Sequence, residues 1–84
     1  MYYVYVLQCI PAGSEFYLGC TGDLRQRLQS HNRGENKATR GSQWKLVYYE
    51  AYTTLAAARR REYRLKHSGK AKAALLRRIR EGLE

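Results

Sequence analysis

Tyr17-Leu18-Gly19-Cys20-Thr21-Gly22-Asp23-Leu24-Arg25-Gln26-Arg27-Leu28-Gln29-Ser30-His31 passes from a strand through a turn into a helix. Its first residues continue the apolar run from Phe16 to Cys20, which reads as a strand. Thr21-Gly22-Asp23 offers N-cap chemistry, and Leu24 and Leu28 follow at i, i+4 spacing. The helix is expected to reach about His31 and to stop at Arg33-Gly34. Upstream, Tyr2 to Cys9 is rich in aromatic and β-branched residues and reads as a strand buried on both sides. Pro11-Ala12-Gly13-Ser14-Glu15 is turn chemistry, so an antiparallel hairpin is the natural connection. Downstream, residues 34–43 are polar and read as a mobile loop. Trp44 to Tyr52 has high β-propensity. Thr53 or Thr54 then caps a second helix running to about Lys66. Ser68-Gly69 interrupts the chain before a last helix, Lys70 to about Gly82, expected to turn Ala74, Leu75 and Ile79 inward. The order is ββαβαα, an α+β domain over residues 1–84 with no repeat or linker.

The 84 residues suffice for one domain. At that size roughly 60% of the unfolded surface is buried, so a shallow groove is easier to build than a deep cofactor pocket. Sixteen basic against seven acidic side chains give a net charge of +9. Residues 54–84 carry ten of the basic and three of the acidic groups, hence +7. This asymmetry favours a polyanionic partner, because phosphate contacts release counterions. The plainer alternative is a solvated basic face. A membrane partner is not expected, since the basic helices lack exposed tryptophan or phenylalanine anchors. Cys9 and Cys20 show no metal-ligand spacing and sit in apolar runs, where cysteine behaves as a small hydrophobe. With Met1 leading directly into the first strand, a reducing, cytoplasmic setting is the expectation.

Two tyrosine-centred triplets, Tyr3-Val4-Tyr5 and Tyr17-Leu18-Gly19, stand on the hairpin strands. Strand packing suffices to explain any single tyrosine. Arg27 and His31 lie side by side on the first helix, flanking the Leu24/Leu28 stripe. Arg27 either snorkels outward or offers its planar fork to a phosphate. Glu62 is the sharpest anomaly, falling within one arc with Leu55, Ala58 and Leu65. A carboxylate on an inward face needs a partner. An internal salt bridge to Arg27 or Arg59 would serve, and so would Mg²⁺, which often takes only one or two carboxylates.

Taken in order, Tyr3-Val4-Tyr5, Tyr17-Leu18-Gly19, Arg27, His31 and Glu62 resemble the signature of the GIY-YIG nuclease superfamily. The stretch from Tyr17 to His31 matches closely, followed by Arg60-Arg61-Glu62-Tyr63. The chain looks most like the small stand-alone bacterial members. The resemblance implies a three-stranded, mostly antiparallel sheet flanked by helices. It also implies a metal-dependent endonuclease acting on DNA in preference to RNA, with branched, nicked or single-stranded forms as candidate substrates. Tyr5 and Tyr17 would line the site beside a metal-bound water. Arg27 would hold the scissile phosphate, His31 would be the active-site histidine, and Glu62 would be the sole protein ligand of Mg²⁺ or Mn²⁺. Arg25, Arg27, Arg59, Arg60 and Lys66 would contact the nucleic acid, and a monomer is compatible with this scheme. The chain departs from the pattern at Tyr3, Val4 and Leu18, and at Cys20, where many relatives carry lysine or another polar residue. A weakly catalytic nucleic-acid-binding module on the same scaffold is the alternative.

Overall fold

Tyr2–Ile10 forms strand β1, Phe16–Thr21 strand β2 and Gln43–Tyr52 strand β3. Helices α1, α2 and α3 span Leu24–Asn32, Leu55–His67 and Gly69–Leu83. The computed structural model describes residues 1–83 except Ala12 and Ser14. Two positions of the expected Pro11–Glu15 turn therefore lie outside the described residues. The hairpin itself is present: β1 pairs antiparallel with β2 on one side and with β3 on the other, in the order β2-β1-β3. The sheet and its helices make the expected ββαβαα, α+β architecture.

The central place of β1 explains its unbroken apolar sequence. Val4, Tyr5, Val6 and Leu7 are all at most 1% exposed, because helices cover both faces. Val4 and Val6 pack with Ala58 and Leu65 of α2 and Leu75 and Ile79 of α3. Tyr5, Leu7 and Cys9 pack on the other face with Trp44, against Leu24 and Leu28 of α1. Ala74 was expected inward but is exposed. Leu75 and Ile79, one turn apart, supply the buried stripe, and a neighbour about 100° away from Leu75 turns to solvent.

Local chemistry sets the helix ends. Asp23 caps α1 by accepting from Gln26 N–H at 3.0 Å, and Thr54 caps α2 by accepting from Ala57 N–H at 3.2 Å. Gly34, at φ +77°, supplies the left-handed turn after α1. Residues 34–43 are pinned rather than free-running. Thr39 is 1% exposed, and its carbonyl accepts from Trp44 Nε1–H at 3.0 Å. Asn32 brackets the far end, its amide bonding both the N–H and the carbonyl of Trp44. A sequence of small polar residues reads as loose because these distant partners are invisible along the chain.

One ion pair ties β3 to α2. The Glu50 carboxylate accepts from Arg61 Nε and Nη2, both at 2.9 Å, and from the hydroxyls of Tyr48 and Tyr52. Burial opposes its ionisation, yet these four hydrogen bonds prevail and bring its pKa down to about 2. Among the described residues no buried side-chain nitrogen or oxygen lacks a partner.

Candidate functional site

Where β2 runs out into α1, a groove of about 560 Å³ opens. Cys20, Thr21 and Gly22 form its floor, and Arg27 reaches it from α1. Arg59, Glu62, Tyr63, Lys66 and His67 reach it from α2. The strand-to-helix junction makes this convergence possible. Thr21 Oγ1 accepts from Asp23 N–H at 3.1 Å, so α1 starts directly after the strand with Arg27 in its first turns.

Glu62 takes up the flank of α2, not the centre of its buried stripe. Ala58 and Leu65 are fully buried, whereas Leu55 is 39% exposed. Measured from Ala58, Leu65 lies about 20° to one side, and Glu62 and Leu55 about 40° and 60° to the other. The arc read from sequence is correct, but the sheet covers only one edge of it. Nor is the partner Arg27 or Arg59: Lys66 Nζ stands 3.1 Å from Glu62 Oε2, an i, i+4 pair. The Glu62 side chain retains 22% exposure, and Lys66 is 45% exposed.

Behind the groove runs a directed hydrogen-bond chain. His31 is fully buried, with Nε2 2.9 Å from the Tyr5 hydroxyl and Nδ1 2.7 Å from Thr39 Oγ1. Thr39 Oγ1 lies 3.4 Å from the Asn36 carbonyl, which can only accept. The Thr39 hydroxyl therefore donates to Asn36 and accepts from His31 Nδ1–H. This leaves His31 Nε2 as the acceptor of the Tyr5 proton. Burial, and then the Arg27 charge, hold His31 below the usual histidine range, so the ring is neutral at ordinary pH. Burial pushes Tyr5 up to about 12, against the pull of Arg27.

The sequence-predicted residues thus fall into three groups. Arg27, Arg59, Glu62 and Lys66 meet in the groove. Tyr5 and His31 stand behind it, and Tyr17 packs edge-on to His31 with ring centroids 4.9 Å apart. None of these three lines the groove, unlike the placement that the resemblance implied. Arg25 and Arg60 are exposed and do not line it either. Cys20 does line it; burial and the nearby Glu62 raise its pKa and keep it a thiol. Thr39 and the Glu50–Arg61 pair escaped sequence reading, because their roles arise only when distant segments meet. Tyr63 and His67 carried a signal, an aromatic pair at i, i+4 beside Glu62, that went unread.

Among the described residues no three His, Cys, Asp or Glu side chains are grouped to hold a metal. That excludes a closed, Zn²⁺-type cage from them. A single accessible carboxylate on an open groove fits Mg²⁺ or Mn²⁺, which retain several waters. Glu62, paired here with Lys66, is the residue that would hold such an ion.

Comparison with known proteins bears on the fold and the family. A family model described as the GIY-YIG catalytic domain matches residues 1–81. A UPF0213 protein of Haloquadratum walsbyi is 39% identical over 67 residues, covering 77% of this chain and 73% of its own. One from Halobacterium salinarum is 36% identical over 78 residues, covering 90% and 99%. The solution NMR structure of the UPF0213 protein BH0048 from Bacillus halodurans covers 90% of this chain and 83% of its own. It shares 38% sequence identity, with a TM-score of 0.54. No helix among the described residues is long and apolar enough to cross a membrane. With its sheet order, its ordered tyrosine, arginine and glutamate positions and these relatives, the chain belongs to the GIY-YIG nuclease family.

Proposed function

We propose that the chain is a divalent-metal-dependent endonuclease that hydrolyses phosphodiester bonds in DNA. The observation that carries this reading is the meeting of Glu62 with Arg27, Arg59 and Lys66 in one groove, backed by the Tyr5–His31–Thr39 chain. Phosphodiester hydrolysis needs positive charge at the non-bridging oxygens, a water stripped of a proton and a protonated leaving group. Arg27 supplies the planar fork for the phosphate, and Arg59 with Lys66 lines the track for its neighbours. A bound Mg²⁺ or Mn²⁺ at Glu62 would polarise the phosphate and acidify water.

Tyr5 is the proton relay. Its hydroxyl passes its proton to His31 Nε2 as it takes one from a water reaching it past Arg27, so the phenol ends neutral, as its high pKa requires. His31 holds the proton as a transient imidazolium, which burial and Arg27 make quick to give it up, and keeps its Nδ1–H on Thr39. Thr39 is a positioning residue, since it fixes which imidazole nitrogen is free to receive. Tyr17 buttresses the His31 ring.

A second reading, a catalytically weak nucleic-acid-binding module, draws on one observation: Lys66 already neutralises Glu62. The two readings separate on metal-dependent cutting by the parent, and Arg27 tests the phosphate clamp. Under the nuclease reading Arg27→Lys lowers single-turnover cleavage by roughly 10²- to 10³-fold with an unchanged melt, because an ammonium cannot form the two-pronged contact. Cleavage by the lysine variant at the parental rate would remove Arg27 from the site.

A further inference from the structure

Tyr63 and His67 make up one wall of the groove, beside Glu62 and Lys66 on α2. Their rings are stacked, with centroids 3.9 Å apart and planes at 19°. His67 Nδ1–H donates to the Tyr63 carbonyl at 2.9 Å, which fixes the histidine side of the stack. Tyr63 is nonetheless 64% exposed. A large aromatic ring held in place, belonging to neither apolar core cluster and flanked by Arg59 and Lys66, presents a flat surface beside cations. That combination is the chemistry of a base-stacking site.

We propose that the Tyr63–His67 stack is a platform for an unpaired nucleobase next to the phosphate held in the groove. The substrate class is then DNA with unpaired nucleotides at the cut, either single strands or junctions, in preference to continuous duplex. The inference rests on the nucleic-acid reading of this groove given above and adds its selectivity. Arg27, Arg59 and Lys66 attract phosphates of either form, and charge alone gives no preference for the single strand. A base inside a duplex already has both faces covered by its neighbours. Only an unpaired base has a free π-face to lay on the outer face of the stacked pair. The platform is formed before the ligand arrives, so little side-chain freedom is lost on binding.

The test is equilibrium binding without metal, using one sequence as a single strand and as a duplex, each carrying a fluorescent purine. The parent, Tyr63→Phe and Tyr63→Leu are compared after thermal melts verify each fold. The parent should favour the single strand and quench the purine, and the phenylalanine variant should do the same. The leucine variant, which keeps apolar bulk without a π-face, should lose roughly 5- to 100-fold of the single-strand over duplex affinity ratio. A leucine variant with the parental ratio and quenching, or a parent that favours duplex, overturns the platform and leaves the nuclease reading standing. A protein that stacks the purine but never cuts with Mg²⁺ or Mn²⁺ overturns the nuclease reading and leaves the platform. Absence of binding to either DNA form overturns both.

Discussion

Gly19 stands directly across from Tyr5 in the β1–β2 register, and a methyl group there would overlap the Tyr5 hydroxyl and Cζ and lie 2.8 Å from Cε1. The glycine of the second triplet is thus the space into which the tyrosine of the first one fits. The sequence shows the two triplets but not this relation, which depends on strand register. His31 was legible for a similar mixture of reasons. Its place beside Arg27 follows from helix spacing, whereas its burial and its bond to Thr39 do not. Gly19→Ala should cost roughly 1–3 kcal/mol through overpacking and push Tyr5 off His31 Nε2. A thermal melt together with the His31 ring-nitrogen NMR shifts would register both effects. Unchanged imidazole shifts would mean that Gly19 is not what seats the Tyr5 hydroxyl.

Strands and helices were legible because each carries its own pattern: β-branched and aromatic runs, an Asp or Thr cap, an i, i+4 stripe. What holds one element on another was not. The Glu50–Arg61 pair crosses from β3 to α2 one residue before Glu62, so it fixes the helix that presents the candidate metal ligand. It has a pH signature. Glu50 has a folded pKa of about 2 against the ordinary glutamate value of 4.5, so the unfolded chain binds a proton more readily. Stability from this group is complete above pH 4.5 and fades as pH falls towards 2. Glu50→Gln should therefore destabilise the fold by on the order of 2 kcal/mol at neutral pH and by little near pH 2. Chemical denaturation of both proteins at the two pH values measures the difference. A gap that persists undiminished in acid would assign the loss to packing and not to the charge.

At the scale of the whole molecule, the net charge of +9 sits on a body only 30 Å in its longest extent. Such a body covers about nine nucleotide steps of one strand at 3.4 Å each, which sets the length of useful probes. If Arg27, Arg59 and Lys66 each neutralise a phosphate, the logarithm of the binding constant should fall against the logarithm of salt concentration with a slope of about −2 to −3. A flat response would contradict an electrostatic footprint. Composition foretold this surface, and the ordered residues foretold the family. The split between groove-lining residues and the buried Tyr5–His31–Thr39 chain behind them appeared only in three dimensions. Whether the groove performs metal-dependent hydrolysis turns on Glu62. The measurement is single-turnover cleavage of single-stranded and branched DNA across a Mg²⁺ and Mn²⁺ titration, for the parent and Glu62→Gln, each with its melting temperature. Glutamine preserves size and an acceptor oxygen but removes the charge that would hold the ion. The parent should cut in a metal-dependent way and the variant not at all, with similar melts. A folded variant that cuts at the parental rate, or a parent that cuts neither DNA form with either metal, would contradict metal-dependent hydrolysis at Glu62.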